Sequence, residues 1–147
     1  MKVLFNQLFD YNYYCNKKLI EQAESLKEVP ANCIKYFSHI LNAHHRWNSN
    51  LLANKPRYDA WQLHDVKDWA DIHYENQRAT FEVITNADDF NKRIEYETAE
   101  GRVFAHDLKD ILFHIINHST HHRGQYLAEI RQNGIEPEKL DYILYKR

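Results

Sequence analysis

The stretch "DLKDILFHIINHSTHHRGQYLAEIRQNG", Asp107 to Gly134, reads as one long helix carrying a cluster of histidines. Asp107 is a suitable N-cap, and Asp110 stands where a capping box would place its Glu. Apolar residues recur three and four apart through the middle, and "NG" at Asn133–Gly134 is a C-terminal stop. The helix is therefore expected to end at Gln132. His114, His118, His121 and His122 are four of the ten histidines in the chain. With His118 at zero and about 100° per residue, Ile111, Ile115 and His122 fall within about 60° on one side. His114 and His121 fall at about −40° and −60°. This wheel puts His118 and His122 in the apolar face and the other two at its edge.

Working outward, the other segments are helical too. Leu4, Leu8, Tyr11, Cys15, Leu19, Ala23 and Leu26 form a stripe predicting a helix over Lys2–Glu28, closed by Pro30. A second helix is expected over Ala31–Ala53, with Ile34, Phe37, Leu41, Asn48 and Leu52 on one side. Residues 54–64 read as a loop anchored to the core by Trp61. A third helix, over Val66–Thr85, has a weaker stripe of Trp69, Ile72, Ala79 and Val83. "RIEYETAEGRVFA" then alternates apolar and polar residues around Gly101. Ile94 and Tyr96, then Val103 and Ala105, predict a short hairpin or paired extended segments. The tail, "IEPEKLDYILYKR", is apolar enough to pack back. The expected fold class is all-α, a four-helix bundle with a hairpin-like segment before the last long helix, in one domain over residues 1–147. Three Gly and three Pro in 147 residues agree with long uninterrupted helices.

Composition narrows the function. A net charge of −2 with no basic stripe argues against nucleic-acid binding. No apolar run is long enough to span a membrane. Cys15 and Cys33 lie far apart outside any C-x-x-C pair, and no secretory signal precedes them. They are expected to be reduced thiols of a cytoplasmic protein.

His118 and His122, at i and i+4, can aim both imidazoles at one point, the spacing a metal ion needs from a helix. Zn, Ni or Fe would suit such ligands. The same spacing also arises where core histidines are simply hydrogen-bonded. A third ligand from a facing helix would decide for a metal. "FSHILNAHHRWN", Phe37 to Asn48, offers His39, His44 and His45. Periodicity favours His44, which falls inside the arc of Phe37, Ile40, Leu41 and Leu51.

At these residues the chain resembles the DinB/YfiT-like family of metal-dependent four-helix-bundle proteins. "NHSTHHRGQ", Asn117 to Gln125, is similar to the C-terminal signature of that family. "HILNAHHRW", His39 to Trp47, resembles its second-helix motif, and "YNYYCNKKL", Tyr11 to Leu19, its first-helix pattern. "GIEPEKLDYILY" also fits, so the resemblance spans essentially the whole chain. It implies an up-down-down-up bundle with a long connection between the middle helices, and a homodimer. It also implies a divalent metal ion held by His39, His118 and His122, with His44 as the alternative third ligand. Many relatives have an acidic residue at the position of His44 and Trp at that of Tyr14. Some relatives are thiol-dependent transferases, which implies a low-molecular-weight thiol as cofactor and a small-molecule substrate.

Three histidines leave a coordination position open, the pattern of catalytic rather than structural zinc. Ser119, Thr120 and His121 stand between the paired histidines, so the general-base Glu of H-E-x-x-H is absent. A base would come from His44, His114 or His121. Ser119 has no nucleophile elbow around it. Gln125 and Glu129 share the histidine face; Glu129 is a candidate orienting partner, although a Glu two turns away more often simply faces another helix. Arg46 and Arg123 read as surface or interface residues, less often as partners of a ligand carboxylate. Gly124 costs about 1 kcal/mol inside a helix, which suggests a close approach by another helix. Three functions compete: a metal-dependent enzyme, plausibly a thiol transferase; a non-catalytic metal-binding or stress-associated dimer; and a helical interaction protein with fortuitous histidines. Metal content separates the third from the others, and turnover separates the first two.

Overall fold

The computed structural model describes residues 1–147. It contains helices α1 (Lys2–Ser25), α2 (Ala31–Leu51), α3 (Val66–Asn86), α4 (Leu108–Gln132) and α5 (Tyr142–Tyr145), with strands β1 (Arg93–Glu97) and β2 (Val103–Asp107) before α4. The fold is mostly helical with one two-stranded sheet. No helix is long and apolar enough to cross a membrane. The expected hairpin is present and antiparallel; Ile94 lies opposite His106 and Tyr96 opposite Phe104, while Val103 and Ala105 lie opposite Glu97 and Glu95. Gly101, at φ +79°, makes its turn, a conformation that glycine adopts at little cost.

Contacts between helices give their relative directions. Lys2 Nζ donates to the Thr85 carbonyl and Gln77 Nε2 to Asp10, so α1 and α3 are antiparallel. Asn76 meets Leu41 and Thr80 meets Asn48, so α2 and α3 are parallel. Cys33 meets Tyr126 while Trp47 meets His114, so α2 and α4 are antiparallel. Two consecutive helices can be parallel only if the link between them returns the full length of the first. Residues 52–65 do this as a strap along α2. His45 Nε2 accepts from the Arg57 amide, Arg46 donates to the Tyr58 carbonyl, Asn42 to that of Gln62, and the His64 amide to Ser38 Oγ.

The core has two apolar ends. One joins Phe5 and Phe9 to Val83, Ile84 and Leu108–Ile116; the other joins Leu19, Phe37, Leu41, Trp69, Tyr126 and Ile130. Buried polar side chains lie on all four long helices: Asn12, Asn16, His44, Asn48, His73, Asn76, Thr80, Ser119 and Arg123. His44 Nε2 and Thr80 Oγ1 are 2.7 Å apart, and the Thr80 hydroxyl donates to Asn48 at 3.0 Å. Arg123, expected at the surface, is only 2% exposed and donates to Asn12, Asn16 and Thr120. Arg46 holds the strap.

Several expectations need correction. The N-terminal half of α1 buries Phe5 and Phe9, while Leu4 is 50% exposed. The helix stops at Ser25, short of Glu28. Asp107 makes no side-chain cap; its carboxylate pairs with Arg93 and Lys109 instead. Beyond its own helix backbone and sequence neighbours, no atom of the chain lies within 4 Å of a Cβ built on Gly124, so no close approach within the chain explains that glycine. The stop at Asn133–Gly134 holds: Gly134 has φ +74°, and the amides of Gly134 and Ile135 donate to the carbonyls of Arg131 and Ile130. The same motif closes α2 through Ala53 at φ 55°, where an L side chain is strained.

Two stability predictions follow from these positions. Ala53→Gly and Gly124→Ala should each raise unfolding free energy by about 0.5–1 kcal/mol, for opposite reasons. Urea midpoints measure both, and a loss at either position contradicts the local geometry. The second prediction concerns His44 and His73, which burial holds down at about 3 and about 4. Both stay neutral when folded but take up protons below about pH 6.5 when unfolded. The unfolded chain then binds more protons, so stability is full above about pH 7 and falls as pH drops. Together they should cost about 2–3 kcal/mol between pH 7.5 and 5.5. Urea titrations at both values give the loss, and NMR should show both rings neutral at pH 5.5.

Candidate metal centre

His39 comes from α2, and His118 and His122 from successive turns of α4, antiparallel to it. The ring centroids are 4.9 Å apart for His39–His118, 4.6 Å for His39–His122 and 4.4 Å for His118–His122. One nitrogen from each ring lies within 4.8 Å of the others, a group that could hold a metal ion. His39 Nε2 and His118 Nε2 are 3.1 Å apart. Nitrogens on a tetrahedral zinc are about 3.3 Å apart, so this edge already has a fitting length.

Outer partners set the tautomers. The Ala60 carbonyl, 2.7 Å from His39 Nδ1, can only accept, so that nitrogen carries the proton. Gln125 Oε1 is 2.6 Å from His122 Nδ1 and does the same there. Both rings thus present an Nε2 lone pair inward, as ligation requires. Burial pushes the pKa of all three rings down, that of His118 to about 3, where its histidine neighbours add to the effect. The rings are therefore neutral at pH 7 and need lose no proton to bind a cation.

The strap builds the fourth wall. Trp61, expected as a core anchor, is 50% exposed and lies flat on His39, at 3.7 Å between centroids and 4° between planes. Its edge faces His122 at 6.1 Å. His121 and His114 flank the cluster, 4.9 Å from His122 and 5.6 Å from His118. The chain offers no carboxylate to this cluster.

His44 is elsewhere. It is 2% exposed, bonded to Thr80 and packed on Phe9, so the structure brings it to neither the ligand group nor the base position beside it. Its wheel position was diagnostic of the core and not of the cluster. His45 is turned to the strap. His39 lies about 140° round α2 from His44, where the strap and α4 cover it. A similar shift applies to α4. Leu112, Ile116, Ser119, Tyr126 and Ile130 are buried as well as Ile111 and Ile115, so the core centre is about 100° from His118 and the histidines are its edge facing α2. Glu129, the candidate orienting residue, makes no contact with a ring; Gln125 does so. Nothing in local sequence marked Ala60 or Trp61, because both reach His39 only through the path of the strap.

The sequence pattern of the DinB family matches residues 5–147. The chain belongs to the DinB family. It is 23% identical to Protein DinB of Bacillus subtilis (strain 168), over 95% of this chain and 91% of that protein. The crystal structure of a DinB-like protein from Bacillus cereus ATCC 10987 superposes with a TM-score of 0.71 at 22% identity, covering 92% of this chain and 94% of that one. At that identity the likeness establishes the shared DinB-like fold.

If Gln125 fixes the His122 tautomer, Gln125→Leu should weaken Zn binding about 10–100-fold without altering the fold. Competition against a chromophoric chelator measures this, and unchanged affinity would remove Gln125 from the centre.

Proposed function

We propose that this chain is a divalent-metal-binding DinB protein whose His39, His118 and His122 form an open three-histidine site of a metal-dependent enzyme. The observation that carries the reading is the convergence of three neutral imidazoles, two of which, His39 and His122, already have their outer nitrogens engaged. In the same reading the four long helices form an up-down-down-up bundle of one domain, which the pairwise helix directions support. Zn, Ni and Fe all suit the donor set.

A bound divalent ion would supply a Lewis acid that lowers the pKa of a coordinated thiol or water. The chain does the rest. The Ala60 carbonyl and Gln125 hold two rings in the ligating tautomer. Trp61 covers one face of His39. His121 is the nearest exposed imidazole to accept a proton released there.

A thiol-dependent transferase is the specific activity that we favour. Both cysteines are buried and free, with burial pushing Cys15 up and Cys33 to about 12. Neither is a thiolate at neutral pH, so a nucleophilic sulfur must arrive as a low-molecular-weight thiol. The lack of a carboxylate base beside the histidines is a further reason to prefer thiol transfer to hydrolysis. The competing reading, a non-catalytic metal-binding protein, predicts the same metal content without turnover.

Elemental analysis of the tag-free protein should find about one metal ion per chain, lost in folded His118→Ala and His39→Ala variants. The loaded protein should lower the apparent pKa of added small thiols and speed their alkylation by an electrophile. Metal without thiol activation would leave the non-catalytic reading, and no metal after incubation with Zn, Ni or Fe would overturn both.

A further inference from the structure

One turn of α4 from His118, a second recess lies where the hairpin meets α2. Trp47, Tyr96, His106, Asp110, Ile111 and His114 line a cavity of about 260 Å³. We propose that it is a binding pocket for the ammonium group of a small aromatic or alkyl amine.

The walls are aromatic and stand at steep angles. Trp47 and Tyr96 have centroids 4.8 Å apart and planes 72° apart; Trp47 and His114 are at 5.3 Å and 69°. Tyr96 is steadied by its hydroxyl, 3.1 Å from His106 Nδ1. Ile111, 2% exposed, provides an apolar surface. Aromatic faces carry negative charge density and attract a cation placed among them, more strongly where water is excluded.

Asp110 adds a full charge of the right sign. It is the only acidic residue in the lining, which contains no Lys or Arg. Lys109, adjacent in sequence, and Arg93, at the start of β1, are bound to Asp107 at 3.6 Å and 3.2 Å. Asp110 stands in the first turn of α4, a place that favours an acidic residue, but that does not account for an aromatic enclosure next to it. An anion would meet a carboxylate and no counter-charge. The volume lies just under the about 300–1,000 Å³ usual for drug-sized ligands, which sets the size of the guest.

An amine held here would have its remainder directed past His114 towards His118. Its role as a substrate pocket rests on the metal-centre reading; the binding itself does not. The test therefore uses metal-free protein, with 2-phenylethylammonium, 2-phenylethanol and 3-phenylpropionate as probes and the Trp47 indole N–H resonance as readout. The ammonium should bind about tenfold more tightly than the alcohol or the carboxylate. Asp110→Asn should remove that preference, and Tyr96→Leu should weaken the ammonium. Equal binding of the three probes, an unaltered preference in folded Asp110→Asn, or shifts confined to other tryptophans would overturn the pocket. If amine binding persists while the protein takes up no metal, the metal-centre reading fails and the pocket stands.

Discussion

The hydrogen bond between His39 Nδ1 and the Ala60 carbonyl ties the fold to the chemistry. It exists because residues 52–65 run back along α2, and that return path is also what makes α2 and α3 parallel. One connection therefore sets the helix directions, covers His39 and fixes which nitrogen of that ring faces His118. A short link would have made α2 and α3 antiparallel and left His39 open to water, with either tautomer allowed.

The two faces of α4 do different work. One buries Ser119 and carries Arg123 to Asn12 and Asn16 of α1. The other presents His118 and His122 to α2. A buried guanidinium with only neutral oxygen partners costs stability compared with a paired one. Burial lowers its pKa, although the neighbouring Cys15 and Tyr11 act against that shift. The adjacent positions 122 and 123 thus place a neutral metal-type donor and a buried cation on different faces of one helix, about 100° apart. The same separation keeps the core histidines, His44 and His73, away from the cluster, so their titration bears on stability and not on ligation.

Much of this was legible in the chain. Helix ends marked by Pro30 and Asn133–Gly134, the hairpin around Gly101 and the paired His118 and His122 all follow from local rules. These rules depend on backbone geometry and spacing, which a neighbour cannot change. Reading the wheel too literally gave the wrong centre for α4, because buried Ser119 and Arg123 interrupt the apolar signal on the true core face. It also favoured His44, which does face the core but belongs to the Thr80–Asn48 network. The family motif pointed to His39, which periodicity alone had left at the edge.

By itself, then, the sequence determined the helical class, the element boundaries to within a few residues and the two histidines that share a helix face. Only the tertiary structure decided that His39 joins them, that Gln125 rather than Glu129 orients a ring, and that Trp61 lies on the cluster instead of in the core. The reason is physical. Spacing along one helix fixes which side chains share a face, but a site between helices depends on where a neighbouring helix and a returning strap bring their groups, and no local rule contains those distances.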